Sequence, residues 1–335
     1  MNRFLQYILT RPLIWVANKL SAAPDKEKVF TSLSKLYATA TDATDNRVKL
    51  LIDEIKSAKY IVFSDQHKGD KSTADDFANN EINYIAALTY YQKNKFTFIN
   101  LGDSEELWKF SSAAVLQSHE KSMLAEAAFG DKKMYKTFGN HDIIWKNKAD
   151  VFFLLRKYFT MPMIVHEGIV LQLNGLAHKL NIFFTHGHQG DVMSDNNRVS
   201  TWIVAHLWMP IQRYLQININ TPSKDYLLRN KHNIMMSNWS AAQQNLLLIT
   251  GHTHSPVFAS GRYYNHPSNQ IPGVNATAVK PTYFNTGCCC FSDGDITGIE
   301  VADGYIRLIK WHTQNDKVER IVLEEASIEN LLTLL

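Results

Sequence analysis

Five short apolar runs, each ending abruptly in polar residues, constrain the fold of this 335-residue chain more than any other feature. Runs of this length are too short for helices and suit buried strands. Residues at helical spacing from Ala74 to Gln92 separate the first two runs, so strands alternate with helices. This alternation predicts an α/β layered architecture, in which ligands bind outside the carboxyl ends of the strands. In chain order the runs are YIVFSDQH, FTFINLGD, MYKTFGNHD, NIFFTHGH and NLLLITGHTH.

Three segments do not follow this alternation of strands and helices. Residues 1–57 have apolar residues at helical spacing and no strand signal, which predicts a helical N-terminal extension ahead of a main domain at 58–312. Residues 192–242 predict a helical insertion into that domain. Residues 313–335 form a C-terminal tail that ends in a short helix. We therefore expect one large domain with additions rather than two domains.

The composition is that of a folded globular chain, with 45% hydrophobic and 20% charged residues. These values exclude collagen-like and largely disordered proteins. Lys and Arg number 35 against 32 Asp and Glu, which gives a net charge of +3. This excess is too small to indicate a long nucleic acid as a partner.

The three cysteines are adjacent, at Cys288, Cys289 and Cys290. Their spacing matches neither a disulfide framework nor a thiolate zinc site. We expect them to be small, buried strand residues. Cysteines used in this way predict a reducing, cytoplasmic location.

The first twenty residues contain an apolar stretch like that of a secretory signal. Gln6, Arg11 and Pro12 interrupt it, and no run reaches the ~18 apolar residues of a membrane-spanning helix. The spacing instead predicts a basic amphipathic helix. In one interpretation its apolar stripe packs on the protein's own core. In the other it contacts a membrane surface through Trp15, which would make the protein peripherally membrane-associated.

The strand ends bring together carboxylates, an amide and imidazoles, without a thiolate. This mixture suits Mn²⁺, Fe²⁺/³⁺ or Zn²⁺ at a reactive site rather than a structural zinc ion. A glycine directly precedes Asp103, Asn140 and His252, where a strand must turn sharply to direct the next side chain at a shared centre. The remaining seven of the 13 histidines lie in no motif, and we expect them to be structural or solvated. The candidate site residues are Asp65, His67, Asp103, Asn140, His141, Asp142, His186, His188, His252 and His254.

The series D-x-H, G-D, G-N-H-D, H-G-H and G-H-x-H resembles the calcineurin-like metallophosphoesterase superfamily, complete and in the family's order. The resemblance covers residues 58–312. It implies a four-layer αββα sandwich, which is an α/β (α+β) fold. It also implies a metal-dependent phosphoester hydrolase that holds two metal ions, which could be Mn, Fe or Zn.

The resemblance further implies a role for each residue that matches the motifs. A water or hydroxide shared by the two metal ions would attack phosphorus. His141 would act as the general acid with Asp142 as its orienting partner, and His188 would line the pocket. The implied ligands are Asp65, His67 and His254 for one ion, Asn140, His186 and His252 for the other, and Asp103 as the bridge between them.

The substrate has to be inferred from the surroundings of the centre, because the superfamily hydrolyses monoesters, diesters and pyrophosphates. The G-N-H-D form and the G-H-T-H-S-P ending are similar to UDP-2,3-diacylglucosamine pyrophosphatases, which indicates a nucleotide-linked or amphiphilic small-molecule substrate. Trp202 and Trp208 in the insertion would form an apolar lid, and Arg213 would receive phosphate charge. In the alternative interpretation the same helices pack against the sandwich.

Three other functions stay open at this point. A phosphomonoesterase or protein Ser/Thr phosphatase-like enzyme is one, although those phosphatases carry G-N-H-E, whereas Asp142 ends the motif here. For a cyclic-nucleotide phosphodiesterase or nuclease, the small net charge disfavours a groove for long nucleic acid, whereas a short oligonucleotide or a cyclic nucleotide could still fit. A non-catalytic binding scaffold is disfavoured because every expected ligand is present.

Overall fold

Two β-sheets form the centre of the molecule, and helices cover the outer face of each. The structure is a computed structural model, and it describes residues 25–42, 44–159, 162–190, 226–260 and 280–335. In chain order the strands are β1 (Val48–Glu54), β2 (Lys59–Phe63), β3 (Thr97–Leu101), β4 (Met134–Thr137), β5 (Val165–His166), β6 (Gly168–Asn174), β7 (Leu180–Thr185), β8 (Leu246–Thr250), β9 (Tyr283–Asn285), β10 (Ile296–Ala302), β11 (Tyr305–Gln314) and β12 (Lys317–Ser327). The helices are α1 (Lys26–Ala38), α2 (Glu81–Lys93), α3 (Ser112–Ser118), α4 (Glu120–Ala127), α5 (Lys148–Leu155), α6 (Tyr226–Ala241) and α7 (Ile328–Leu332).

The strand order is β12-β11-β10-β2-β3-β4-β5 in the larger sheet and β1-β6-β7-β8-β9 in the smaller one. Strands β2, β3 and β4 run parallel to one another. Strands β7, β8 and β9 do the same in the smaller sheet. Parallel neighbours end at the same edge of a sheet, so the loops that follow them can meet at one site.

Alternating side chains give each sheet two apolar faces. In β2, Tyr60 and Val62 belong to the core between the two sheets, whereas Ile61 and Phe63 pack with Tyr84 of α2 on the outer face. A third apolar cluster joins α1 and α6 to the outer face of the smaller sheet. The four-layer αββα sandwich expected from the sequence is therefore confirmed.

The helical prediction for residues 1–57 is wrong at Val48–Glu54, which form strand β1. The apolar run at 50–52 lacks alternation, and a short run of this kind fits a helix or a strand equally well. Parallel pairing with Gly168–Asn174 decides the conformation. This pairing depends on a segment more than a hundred residues away, so local periodicity could not reveal it.

The boundary predicted at residue 312 also needs correction, because it falls inside β11. The chain continues into β12, which pairs antiparallel with β11 and forms an edge of the larger sheet. Most of the predicted tail is therefore part of the sandwich. The short helix predicted at its end is confirmed as α7.

Much of the predicted insertion at 192–242 and the helix predicted within residues 1–20 lie outside the described residues. The described part of the insertion is α6, whose Met235, Met236 and Trp239 pack on the smaller sheet. Within the part of the chain that the structure describes, no helix is long and apolar enough to cross a membrane.

Candidate metal centre

The polar residues at the strand ends converge at the edge of the sandwich where β2, β3, β4, β7 and β8 end. Five of them have a positive φ between 50° and 68°. Residues other than glycine seldom adopt this conformation, and such local strain concentrates at functional sites. The strained loops allow side chains that are close in sequence to point at one centre. The five residues are Asp65, His67, Asp103, His252 and His254.

One group of donors comprises Asp65, His67 and His254, whose ligating atoms all lie within 4.8 Å of one another. His254 Nε2 lies 3.2 Å from Asp65 Oδ1 and 3.1 Å from His67 Nε2. Two imidazole nitrogens that face each other beside a carboxylate form a donor set that divalent metal ions accept.

A second group comprises Asp103, His186 and His252, with ligating atoms equally close. The Nδ1–H of His186 donates to the carbonyl oxygen of Leu101 at 2.9 Å, which leaves Nε2 with a free electron pair. That Nε2 and the side-chain oxygen of Asn140 are buried, and neither accepts a hydrogen bond from a described residue. Buried acceptor atoms in this state are suited to bind a metal ion.

Asp103 lies between the two groups. Its Oδ2 is 3.2 Å from His186 Nε2 and 3.8 Å from His67 Nε2. Its Oδ1 accepts the backbone N–H of His141 at 2.8 Å. Burial alone would raise the pKa of Asp103, but the neighbouring His186 and His141 hold it well below its usual value. The carboxylate is therefore ionised, as a bridging anion must be.

Two glycines allow the backbone to approach the carboxylates closely. A Cβ on Gly139 would lie 2.1 Å from Asp103 Oδ1, and one on Gly251 would lie 2.4 Å from Asp65 Oδ2. Neither glycine has a positive φ. These two glycines therefore do not supply a left-handed backbone, and the absence of a side chain is what matters at both positions.

His141 pairs with Glu106, which the sequence analysis did not identify. His141 Nδ1 lies 3.0 and 3.1 Å from the two carboxylate oxygens of Glu106. The same carboxylate lies 3.2 Å from Nδ1 of His67, so it orients two imidazoles at once. Burial alone would lower the pKa of His141, but Glu106 and Asp103 raise it above its usual value.

Asp142 does not orient His141, and that prediction is wrong. Its carboxylate accepts the backbone N–H groups of Gly139 at 2.6 Å and of Ser104 at 2.9 Å. Asp142 therefore joins the loop after β4 to the loop after β3 and fixes the backbone around Asp103. A short carboxylate that already accepts two backbone donors is turned away from the neighbouring imidazole.

Trp108 supports the other side of His141. The two rings stack with their centroids 3.9 Å apart and their planes 20° from parallel. The indole N–H donates to the carbonyl oxygen of Asn140 at 2.9 Å. Glu106 and Trp108 both follow the bridging Asp103 in the stretch DSEELW. The position of Glu106 and Trp108 shortly after the G-D motif is the sequence signal that could have identified them.

His188 and His232 border the second donor group. The ring of His188 lies 5.4 Å from that of His186, and the ring of His232 lies 5.2 Å from that of His252. Burial and the nearby His186 lower the pKa of His188 to about 3, so this imidazole is neutral. His232 lies on α6, so the described part of the insertion contacts the centre.

Two buried lysines neutralise carboxylates behind the centre. Lys136 Nζ lies 2.9 Å from Glu105 Oε2, and Lys68 Nζ lies 3.4 Å from Glu105 Oε1. Lys68 also forms an ion pair with Glu126. An unpaired charge buried this deeply would strongly destabilise the fold. The loop after β3 is therefore held in the conformation that keeps Glu105 paired with both lysines.

Comparison with known proteins identifies the family of the chain. The calcineurin-like phosphoesterase family matches residues 58–256, which is more than half of the sequence and includes every strand-end residue described above. The chain belongs to the calcineurin-like phosphoesterase family. It is therefore a metal-dependent phosphoester hydrolase.

Solved structures that the chain matches include Vacuolar Protein Sorting 29 from Cryptosporidium parvum, at 14% identity and a TM-score of 0.35, covering 81% of this chain and 99% of that one. A zinc-complexed Vps29 from Entamoeba histolytica has 14% identity and a TM-score of 0.31, with coverages of 81% and 99%. A dimetal phosphatase from Danio rerio has 8% identity and a TM-score of 0.40, with coverages of 80% and 100%. No curated protein sequence matches the chain.

The residues present fit the divalent metal ions that the family implies. Both donor groups combine oxygen with imidazole nitrogen, and Mn²⁺, Fe²⁺ and Zn²⁺ accept ligands of both kinds. The buried Asn140 oxygen and His186 Nε2 have electron pairs without a hydrogen-bond donor among the described residues. The proposed lid residues Trp202 and Trp208 and the proposed phosphate-binding Arg213 lie outside the described residues.

Proposed function

We propose that the chain is a dinuclear phosphoesterase in which Asp103 is shared by two metal ions. The supporting observation is the position of Asp103 Oδ2, which faces His186 of one donor group and His67 of the other. When bound, the metal ions would supply a water acidic enough to attack phosphorus and would neutralise charge on the phosphoryl oxygens. The proposed ligands are Asp65, His67 and His254 for one ion and Asn140, His186 and His252 for the other.

His141 is the proposed proton donor to the leaving group. Glu106 holds Nδ1 of the imidazole, so Nε2 is the nitrogen that can transfer a proton to a substrate oxygen. The raised pKa of His141, caused by Glu106 and Asp103 against the effect of burial, favours the protonated ring that a general acid requires. The His141 side chain is 15% exposed, and stacking on Trp108 limits its rotation.

Two variants distinguish metal binding from proton transfer. Asp103→Ala should lose bound metal and activity together, because the Asp103 carboxylate lies near donors of both groups. His141→Ala should keep its metal while kcat falls by about 10²- to 10³-fold. Metal analysis and phosphoester hydrolysis with Mn²⁺ measure both effects. Hydrolysis at the parent rate by both variants would contradict the site assignment.

An amphiphilic or nucleotide-linked pyrophosphate is the proposed substrate class. Helix α5 follows the loop that carries Asn140 and His141. Two of its aromatic residues are solvent-exposed, Phe152 at 44% and Phe153 at 65%. The Arg156 guanidinium lies 5.6 and 5.7 Å from the centroids of these two rings. Exposed aromatic rings beside a cation suit a ligand with an apolar tail and an anionic head.

A substrate panel tests this class. We expect the purified enzyme to hydrolyse a UDP-linked pyrophosphate that carries acyl chains faster than a simple monoester or diester. Replacing Phe152 and Phe153 with Ser should raise KM for the acylated substrate more than for its chain-free analogue. Ile82→Ser, which changes an exposed apolar residue on α2, should leave that ratio unchanged. Hydrolysis of the monoester alone would instead favour the phosphomonoesterase alternative.

A further inference from the structure

Two cysteines approach the candidate metal centre from outside it. The Sγ atoms of Cys288 and Cys290 and a ring nitrogen of His254 all lie within 4.8 Å of one another. Cys290 Sγ is 3.6 Å from His254 Nδ1. The other nitrogen, Nε2, is the one that lies 3.2 Å from Asp65. One imidazole therefore faces a carboxylate at one nitrogen and a thiol at the other.

The backbone holds these cysteines in place. The N–H of Cys289 donates to the carbonyl oxygen of Asp65 at 3.1 Å, and the N–H of Thr297 donates to the carbonyl oxygen of Cys288 at 3.0 Å. Cys289 itself is fully buried in the apolar cluster under α2. The loop directs Cys288 and Cys290 towards His254 and directs Cys289 into the apolar cluster. The expectation of buried cysteines is confirmed for Cys288 and Cys289, whereas the expectation of a strand is wrong, since β9 ends at Asn285 and the cysteines follow in a loop.

We propose that Cys288, Cys290 and His254 Nδ1 form a separate binding site for a thiophilic metal ion such as Zn²⁺ or Cd²⁺, here called the thiol site. Two thiolates and an imidazole are a donor set that soft and borderline ions prefer, whereas Mn²⁺ prefers oxygen donors. Both thiols lose their protons to solvent on binding, and the two thiolate charges balance a divalent cation. When Nε2 of His254 already holds an ion of the main centre, Nδ1 must also give up its proton, and the ring would then be shared by the two ions as an imidazolate. The thiol site can therefore be filled next to the cations of the main centre.

Occupation of the thiol site is coupled to the main centre through His254. A cation at Nδ1 repels a cation held at Nε2 of the same ring, and the second cation binds only when the ring loses its remaining proton. Coupling between two binding sites is reciprocal, so a metal ion at either site lowers affinity at the other by the same factor. We expect this factor to be about tenfold. The thiol site would thus make the enzyme sensitive to inhibition by thiophilic metals.

Cadmium titration of the full chain, already loaded with Mn²⁺, tests the thiol site directly. Thiolate-to-cadmium charge transfer absorbs in the near ultraviolet, and manganese bound to oxygen and nitrogen does not. We expect this band to saturate at about one equivalent of Cd²⁺. The Mn²⁺ dissociation constant, measured in the same samples, should rise by about tenfold. A wild-type protein that shows no such band would overturn the proposal.

Three matched substitutions locate the band. Cys288→Ala and Cys290→Ala should each remove most of it, whereas Cys289→Ala should keep it because that thiol faces the apolar cluster. Thermal unfolding of each variant checks that it is folded. An unchanged band in Cys288→Ala and Cys290→Ala would also overturn the proposal. The wild-type titration tests the thiol site even if one variant fails to fold.

The outcome is independent of the proposed phosphoesterase function. The charge-transfer band requires only the positions of three side chains, and no substrate is present in the titration. Absence of hydrolysis together with a saturable band would reject the proposed function and support the thiol site. Hydrolysis without a charge-transfer band would support the proposed function and reject the thiol site.

Discussion

His119 shows how a single residue can fasten a loop to a helix away from the metal centre. Its Nδ1 lies 2.9 Å from Glu81 Oε1, and its Nε2 lies 2.8 Å from Asp75 Oδ2. Burial alone would lower the pKa of His119, but Asp75 and Glu81 raise it above its ordinary value of 6.5. Burial would raise the pKa of Glu81, yet His119 and Lys71 lower it to about 2. Both ring nitrogens therefore donate, and the imidazole carries a positive charge.

The charge on His119 makes its contribution to stability depend on pH. A raised pKa in the folded state means that the contribution is fully present below about pH 6.5 and is lost as the pH rises through the folded value. The lowered pKa of Glu81 means that its own contribution is lost as the pH falls towards 2. We expect His119→Gln to reduce the free energy of unfolding by about 3 kcal/mol near pH 5.5, and by progressively less at higher pH.

Urea unfolding at several pH values measures this difference. His178→Gln is the matched control, because His178 is an exposed histidine. A constant gap between wild type and His119→Gln from pH 5 to 9 would argue against a charged imidazole at this position.

At the scale of elements, helix α1 is part of the sandwich rather than an extension separate from it. Its apolar stripe of Val29, Leu33 and Leu36 is buried in the same cluster as Phe183 of β7 and Trp239 of α6. Asp25 caps the helix by accepting the backbone N–H groups of Glu27 and Lys28. The helix therefore covers the outer face of the smaller sheet, which supplies His186, His252 and His254.

A substitution in this stripe should destabilise the whole domain. Leu33→Ala removes a fully buried side chain and should lower the free energy of unfolding by about 2 to 5 kcal/mol. Lys35→Ala, an exposed position on the same helix, should have little effect. Equal stability of the two variants in chemical unfolding would show that α1 does not contribute to the cooperative core.

At the scale of the whole molecule, the candidate centre joins the two sheets. Asp65, His67 and Asp103 follow strands of the larger sheet, whereas His186 and His252 follow strands of the smaller one. Metal ions held by all of these residues would bridge the layers of the sandwich. Binding to the folded state alone stabilises it by mass action.

Metal binding should therefore raise the melting temperature. At a free Mn²⁺ concentration about 100 times the dissociation constant, the added stability should be about 2.7 kcal/mol. Scanning calorimetry with Mn²⁺ and with a chelator measures this difference. Asp103→Ala should lose most of the metal-dependent shift. A wild-type protein whose melting temperature does not respond to metal would contradict a centre shared by the two sheets.

The sequence was most informative where chemistry and chain order coincide. Ligand-type residues after five apolar runs, three of them directly preceded by glycine, predicted a layered α/β fold and the set of converging residues, and the family resemblance of these motifs implied the sandwich. Prediction failed where the partner is distant in sequence, as for β1, whose conformation depends on β6. It also failed for Asp142, since adjacency to His141 gave no information about the backbone groups that the carboxylate accepts.

The sequence by itself determined the layered fold and the types of donor atom at the strand ends, because these follow from local periodicity and residue chemistry. Only the tertiary structure decided which side chains share a partner. Glu106 joins His67 to His141, and His254 lies between Asp65 and the cysteine loop. Hydrogen bonds and coordination act over a few ångströms in space, and the chain brings these atoms together only when both sheets are assembled.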